Sequence, residues 1–506
     1  MPNVNVKWGK EKYNVLLDLD ESPLVFKSQL FALTGVPPDR QKVMIKGKTL
    51  GDESWKGIVV TEGLMIMMMG SADAVPAPPK SEEEPNELTR NDSGIMRLPN
   101  GLKNLGNTCY MNSVLQTFKT IPELKDGLLQ LKQGISNPDV NQKMAMAVKS
   151  VYEMLDNPRR TNEPLVPFFM LQEYFVFCEV ENKHNEQTKN NENHIGSRDE
   201  HGHLEQQDAN ECFSEIQRLL LNALSSNKEL IGKDIREYFR GQYQVRQKCL
   251  ECDDEPIQNT TEEFYQLSCF LSPEVRYIQS GIKEKLSGEI EKTSTILGRN
   301  AKWERNVLIE RLPAYISVQM VRFFYKESSQ VNAKILKDVK FPMILDLRDI
   351  CTPALQEKLL PQRAAVKKEE DAKIDRMQKR KMEVNESKAS DDDGIPLPFS
   401  FPDDEGSNNS GFYELKAVIT HKGRSSNSGH YVAWVRMNEE QWAMCDDDRV
   451  TSVTSDEVLK LSGGGDWHCA YVLLYGPRII KEYPELKDEK ENIVEQTKEI
   501  ENMKSN

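Results

Sequence analysis

The sequence predicts an α+β protein built from two folded units. Three observations point there. Residues 1–75 run strand, strand, helix, strand, strand; a helical period opens at Cys109 after a glycine-punctuated loop; and strand-like apolar runs recur later, at Ile344–Leu347, Tyr413–Ile419, Tyr431–Val435 and Ala470–Tyr475.

In the first unit, Val4-Asn-Val-Lys-Trp8 alternates as a half-buried strand does. Ser22-Pro23 reads as a cap and first helical position, with Phe26, Leu30 and Leu33 on one face and Gly35 at the stop. The apolar run Leu64–Met69 supplies a last strand, and so many elements in about 75 residues suggest a β-grasp. A linker is expected over 76–97, because Ala72–Asp92 is rich in Pro, Glu and Ser. The second unit spans 98–480 and a charged tail spans 481–506. Within it, Glu181–Asp199 nearly lacks apolar residues and reads as an insert; Gln362–Asp393 reads as a loop excursion or, equally well, a solvated surface helix.

The chemistry starts at Cys109, in Gly101-Leu-Lys-Asn-Leu-Gly-Asn-Thr-Cys-Tyr-Met-Asn-Ser-Val-Leu-Gln116. Tyr110, Val114 and Phe118 recur at i, i+4 and i+8, so a helix begins at or beside the cysteine. The positive end of that helix favours a thiolate. Free cysteine titrates near pH 8.5, so only about 3 % is thiolate at neutral pH, and a nucleophile needs a partner. His430 offers one, following a Gly/Ser loop and opening the strand Tyr431–Val435. Beyond it stands Cys445-Asp-Asp-Asp448, whose first acid, Asp446, can orient the imidazole, with Asp447 as the alternative. Asn104 lies five residues before the cysteine and can donate to an oxyanion. His421 ends an apolar run and reads as structural.

The string Asn104–Gln116, the string Gln206-Gln-Asp-Ala-Asn-Glu211 and the string Gly429-His-Tyr-Val432 resemble three signature boxes of the ubiquitin-specific proteases. That resemblance implies a papain-like cysteine protease domain with thumb, palm and fingers. It makes Cys109 the nucleophile, His430 the general base and acid, Asp446 the orienter and Asn104 the oxyanion donor. Asp208, with Gln207 beside it, matches the residues that grip the C-terminal tail of ubiquitin. The first unit resembles ubiquitin at Gly35–Gln41 and Lys46-Gly-Lys-Thr-Leu50, but its end reads Met69-Gly-Ser-Ala without a terminal Gly-Gly. A ubiquitin-like domain that cannot be conjugated reads as a docking module. The combination resembles the proteasome-associated members of the family, and this implies docking of residues 1–75 on the 26S proteasome regulatory particle. It also implies two loops over the cleft, Phe324–Lys340 and Arg424–Ser428, the second carrying Arg424, Ser425, Ser426 and Ser428. The substrates implied are ubiquitin and polyubiquitinated proteins. A catalytically silent ubiquitin-binding adaptor, or a deubiquitinase with another partner, are the alternatives.

Composition agrees. A net charge of −14 argues against nucleic-acid binding. Nine cysteines, no secretory leader and no apolar run of about 18 residues argue against a membrane protein and for a reducing compartment, the cytoplasm and the nucleus. Cys249-Leu-Glu-Cys252 is half of a zinc ribbon, but Ile296–Ala301 lacks the second pair, so neither metal nor cofactor is expected.

Overall fold

The computed structural model describes residues 3–8, 11–16, 41–46, 48–51, 63–69, 98–131, 138–157, 163–187, 206–326, 331–382, 394–425, 428–465 and 467–482, with isolated positions at 23, 26, 27, 30, 55, 61, 90, 91, 94 and 95. It divides into two compact units, Met1–Ile95 and Met96–Asn506.

The first unit is a five-stranded sheet. Its strands are β1 (Asn3–Trp8), β2 (Glu11–Leu16), β3 (Lys42–Ile45), β4 (Lys48–Thr49) and β5 (Met65–Met69), in the order β2-β1-β5-β3-β4. β1 and β5 run parallel, which requires a crossover, and positions 23, 26, 27 and 30 of that crossover are helical. Period-two alternation sends Val4, Val6, Val43, Ile45, Ile66 and Met68 to one face, where they close on Phe26, Leu30 and Leu50. This is the β-grasp expected from the sequence.

The second unit sets a helical layer against a long mixed sheet. The helices are α1 (Cys109–Phe118), α2 (Pro122–Gln130), α3 (Val140–Leu155), α4 (Phe168–Gln187) and α5 (Ala209–Ser225). Every residue of α1 is buried, so it is the axle of the domain rather than a surface helix. Next comes the fingers sheet, in the order β9-β10-β6-β7: β6 (Gly241–Cys249), β7 (Gln258–Phe264), β9 (Ser287–Thr293) and β10 (Asn300–Arg311). The palm sheet holds β8 (Gln266–Phe270), β11 (Ile316–Val321), β14 (Ile344–Asp346), β15 (Phe412–Ser425), β16 (Ser428–Arg436), β17 (Gln441–Asp446), β18 (Arg449–Thr454) and β19 (Cys469–Pro477). Between β11 and β14 a hairpin stands apart, β12 (Phe323–Lys326) with β13 (Val331–Lys334).

The palm sheet is apolar on both faces. Ile419, Tyr431, Ala433 and Val472 pack against α1, α5 and their neighbours, while Val418, Val432, Trp434 and Leu473 pack into a second core under the palm. Alternation within each strand assigns the faces, and two bulges reset it, one in β15 between Leu415 and Ala417 and one in β19 at Tyr471, between the partners of Ile419 and Thr420.

Two segments depart from the looser reading of the sequence. Helix α4 continues through Gln187, into the polar insert. Leu360–Met382 forms one long helix rather than a loop, because Glu369, 3 % exposed, is pinned by Arg478 and by the backbone N–H of Lys481. Among the described residues no helix is long and apolar enough to cross a membrane.

Candidate active site

Cys109 is the first residue of α1, behind a turn held by positive φ at Gly106 (99°) and Asn107 (54°). Asn104 organises that turn. Its Oδ1 accepts from the backbone N–H of Gly106 at 3.0 Å and of Thr108 at 3.1 Å, and Leu105 N–H donates to Thr108 Oγ1 at 2.9 Å. Cys109 is buried, 3 % exposed, at the positive end of a desolvated helix.

His430 stands on β16 and Asp446 ends β17, adjacent strands of the palm. His430 Nε2 lies 2.5 Å from Asp446 Oδ1, which leaves Nδ1 as the nitrogen available to Cys109. Hydrogen bonding to Asp446, then to the Cys109 side chain, raises the imidazole to about 10 against the opposing effect of burial. Asp446 is held below its ordinary value, first by His430. The sequence left Asp446 and Asp447 as alternatives, and the geometry separates them. Asp447 is held by two amides instead, accepting from Asn104 Nδ2 at 2.9 Å and from Asn112 Nδ2 at 2.8 Å. Its backbone, at φ 50°, accepts from Leu102 N–H at 2.8 Å. There the two chains touch so closely that a Cβ on Gly101 would lie 2.5 Å from the Asp448 carbonyl oxygen.

Asp208 is the N-cap of α5. Its Oδ1 accepts from the backbone N–H groups of Asn210 and Glu211, and Tyr471 on β19 donates to Oδ2. Gln207 beside it is half-buried. One turn on, Glu211 is pushed up to about 7 by burial, then by Asp208 and Glu215. Acids therefore gather at this end of α5, where a cationic peptide would neutralise them.

Residues 100–475 match the family model "Ubiquitin carboxyl-terminal hydrolase", and residues 4–73 match the "Ubiquitin family" model. The chain belongs to the ubiquitin carboxyl-terminal hydrolase family. It is 43 % identical over 497 residues to ubiquitin carboxyl-terminal hydrolase 14 of Caenorhabditis elegans, covering 96 % of this chain and 95 % of the relative. It is 37 % identical to ubiquitin carboxyl-terminal hydrolase 6 of Arabidopsis thaliana, covering 95 % and 100 %, and 34 % identical to ubiquitin carboxyl-terminal hydrolase 6 of Schizosaccharomyces pombe, covering 93 % and 98 %. A ubiquitin carboxyl-terminal hydrolase of this kind is a cysteine deubiquitinase, here with an N-terminal ubiquitin-like domain.

The bases of the two loops expected over the cleft meet in this hydrolase. Lys334, ending β13, donates from Nζ to the carbonyl oxygens of His421 at 2.7 Å and Gly423 at 3.1 Å, with Nδ1 of His421 at 3.0 Å. His421 is the structural residue expected, fully buried and lowered to about 3 by burial and the Lys334 charge. Phe323 packs edge-on against both His421 and Tyr471, ring centroids 5.4 Å apart in each case. The wall carrying both loop bases is thus the wall that holds Asp208. Ser428 is exposed, Arg424 and Ser425 are described by backbone alone, and Ser426 lies outside the described residues.

At the fingers tip, Cys249 is buried and Cys252 half-buried beside Ala301 and Trp303. The opposite knuckle is tied by Glu255, which accepts from Ser294 Oγ, from Thr295 Oγ1 at 2.7 Å and N at 3.0 Å, and from Ile296 N at 3.3 Å. A carboxylate cross-links the strands where a metal-ligand pair would otherwise stand. Among the described residues, the cluster of three or more His, Cys, Asp or Glu donors spaced to hold a metal ion is His430, Asp446 and Asp447. No sequence signal marked Lys334, Tyr471 or Glu211 individually; Asp447 was visible only as one of three consecutive acids.

Proposed function

We propose that the protein hydrolyses the isopeptide bond at the C-terminal glycine of ubiquitin with Cys109 as nucleophile, while residues 1–75 hold it on the 26S proteasome regulatory particle. The observation that carries the catalytic assignment is His430, bonded to Asp446 through one nitrogen and raised by Cys109 at the other.

Cys109 gives its proton to His430 and attacks the glycine carbonyl. His430, as imidazolium, then protonates the departing lysine amine, leaving a thioester on Cys109. A water, deprotonated by His430, resolves the thioester and returns the thiol. The carbonyl oxygen takes up negative charge twice, and the Asn104 amide with the Cys109 backbone N–H receives it. Asp208, Gln207 and Glu211 bind the basic tail of ubiquitin, and their position at the start of the thumb helix α5 directs that tail along the palm toward Cys109. The nine free cysteines fit a reducing compartment, the cytoplasm and the nucleus.

Docking is supported by the ubiquitin-like unit, which ends without the Gly-Gly needed for conjugation and so serves binding rather than transfer. The test is a ubiquitin probe with a C-terminal electrophile, applied to purified protein with and without proteasomes. Labelling of the wild type and none of Cys109→Ala is expected. Labelling of the alanine variant reassigns the nucleophile. Loss of co-sedimentation with proteasomes on deleting residues 1–75 is expected; sedimentation without them assigns the docking elsewhere.

A further inference from the structure

The sheet of the N-terminal unit has one face buried under Phe26 and Leu30, and its other face is unusual in composition. β5 places Met65, Met67 and Met69 outward at 46, 52 and 47 % exposure, while Ile66 and Met68 between them are buried. Met44 of β3, half-buried, lies directly across from Met67 in the register. Flanking positions of the same face are cationic: Lys7 pairs with Met67 and Lys42 with Met69, both lysines exposed. Four thioethers edged by ammonium groups form a soft, adaptable apolar patch of the kind used to grip a partner.

We propose that Met44, Met65, Met67 and Met69 are a site of oxidation by peroxide, and that their sulfoxides release this unit from its docking partner. The proposal rests on the docking of residues 1–75 to the proteasome. It commits to an acceptor there with an apolar groove edged by carboxylates, the chemistry complementary to thioethers edged by Lys7 and Lys42. Each thioether sulfur takes one oxygen from hydrogen peroxide and is oxidised by two electrons; the peroxide leaves as water. An S=O dipole then replaces apolar surface at the centre of the contact, and desolvating it on docking opposes binding. Sulfoxide reductases reverse the change. Met68, two residues from the centre of the patch at most and 2 % exposed, is an internal reference in the same peptide.

The test uses the full chain as Cys109→Ala, so that the catalytic thiol cannot report, together with the same chain carrying M44L, M65L, M67L and M69L. Both are exposed to hydrogen peroxide, then assayed by site-resolved mass spectrometry and by co-sedimentation with proteasomes. Met65, Met67 and Met69 are expected to gain oxygen at least tenfold faster than Met68. Affinity for proteasomes is expected to fall at least tenfold and to return after treatment with sulfoxide reductases. The leucine variant should sediment equally before and after peroxide. Equal oxidation rates at Met67 and Met68, or undiminished binding by oxidised protein, overturn the proposal. So does a leucine variant that loses binding under peroxide as the parent does. If untreated protein does not sediment at all, the docking reading fails instead, and the oxidation site is then judged by the rates alone.

Discussion

Asn104 Nδ2 and Asp447 Oδ2 are joined by a 2.9 Å hydrogen bond that spans 343 residues of sequence. The bond uses one of the two amide hydrogens of Asn104, while its Oδ1 is taken up by the turn before Cys109. One N–H remains, and its direction is set by Asp447. That carboxyl is itself raised by burial and lowered again by Asn112 and Asn104, so a half-buried charge is held between two amides. With Asn104 as the proposed oxyanion donor, Asp447 would act on the reaction through it, as a positioning residue.

Asn104→Ala is therefore expected to lower kcat by about 10²–10³-fold with little change in KM. Asp447→Ala should lower kcat in the same range, by freeing the amide it holds. The double variant should be no more than about threefold worse than the weaker single, because both remove one contact. Steady-state kinetics on a fluorogenic ubiquitin substrate measure this. Fully additive losses would show that the two residues act separately.

The pair His430–Asp446 predicts the alkaline limb of activity. The interactions that raise His430 to about 10 stabilise the fold fully below the ordinary histidine value near 6.5, and that contribution is lost as pH rises through 10. Asp446→Asn removes the largest cause. We expect kcat to fall roughly 10²–10⁴-fold and the alkaline limb of kcat against pH to move down toward neutrality. A limb that stays in place would mean that Asp446 does not hold the imidazolium.

Glu211 has a dependence of the same sign, over a lower pH window. Burial, Asp208 and Glu215 raise it to about 7, so the folded state holds its proton more tightly than the unfolded chain does. Its favourable contribution is complete below about 4.5, the ordinary glutamate value, and is lost as pH rises through 7. Glu211→Gln should raise Tm at pH 8 and leave it unchanged near pH 4. If ionised Glu211 binds the basic tail as proposed, the same variant should raise KM at pH 8. Calorimetry and kinetics at both pH values separate the two effects; a lower Tm at pH 8 would refute the assignment.

Lys334 links β13 to the base of the loop Arg424–Ser428 through His421 and Gly423. Lys334→Met keeps the apolar stem and removes the donors. If those bonds hold the loops over the cleft, kcat/KM without proteasomes should rise by up to about tenfold, the equivalent of roughly one net hydrogen bond. The pKa of His421 should rise from about 3 as the neighbouring charge disappears, and NMR titration reads that directly. Unchanged activity with a shifted His421 would confine Lys334 to a structural role.

Much of the fold was legible because periodicity reports burial. The alternation of Val4, Val6, Ile66 and Met68 marked the strands of the first unit, and Tyr110, Val114 and Phe118 marked the helix behind Cys109. Leu360–Met382 was ambiguous for the same reason: its residues are charged on most sides, and what seats the helix is one buried glutamate meeting Arg478 more than a hundred positions away. Asp446 and Asp447 were hard to rank because adjacent acids differ in sequence by nothing that chemistry can weigh. Adjacent residues at the end of a strand point in different directions, and only the neighbouring strand and loop decide which of them meets an imidazole.

The sequence by itself determined the two-unit α+β plan, the cysteine at a helix start, the histidine opening a strand and the ubiquitin-like character of the first unit. Those features reside in local periodicity, turn chemistry and contiguous motifs, and survive without a partner segment. Tertiary structure alone decided which acid holds His430, which acid holds Asn104, and how Lys334 ties two loop bases to the wall that carries Asp208. Each of these is a directional contact a few ångströms long between residues far apart in the chain, and such contacts exist only after the palm sheet has closed on α1.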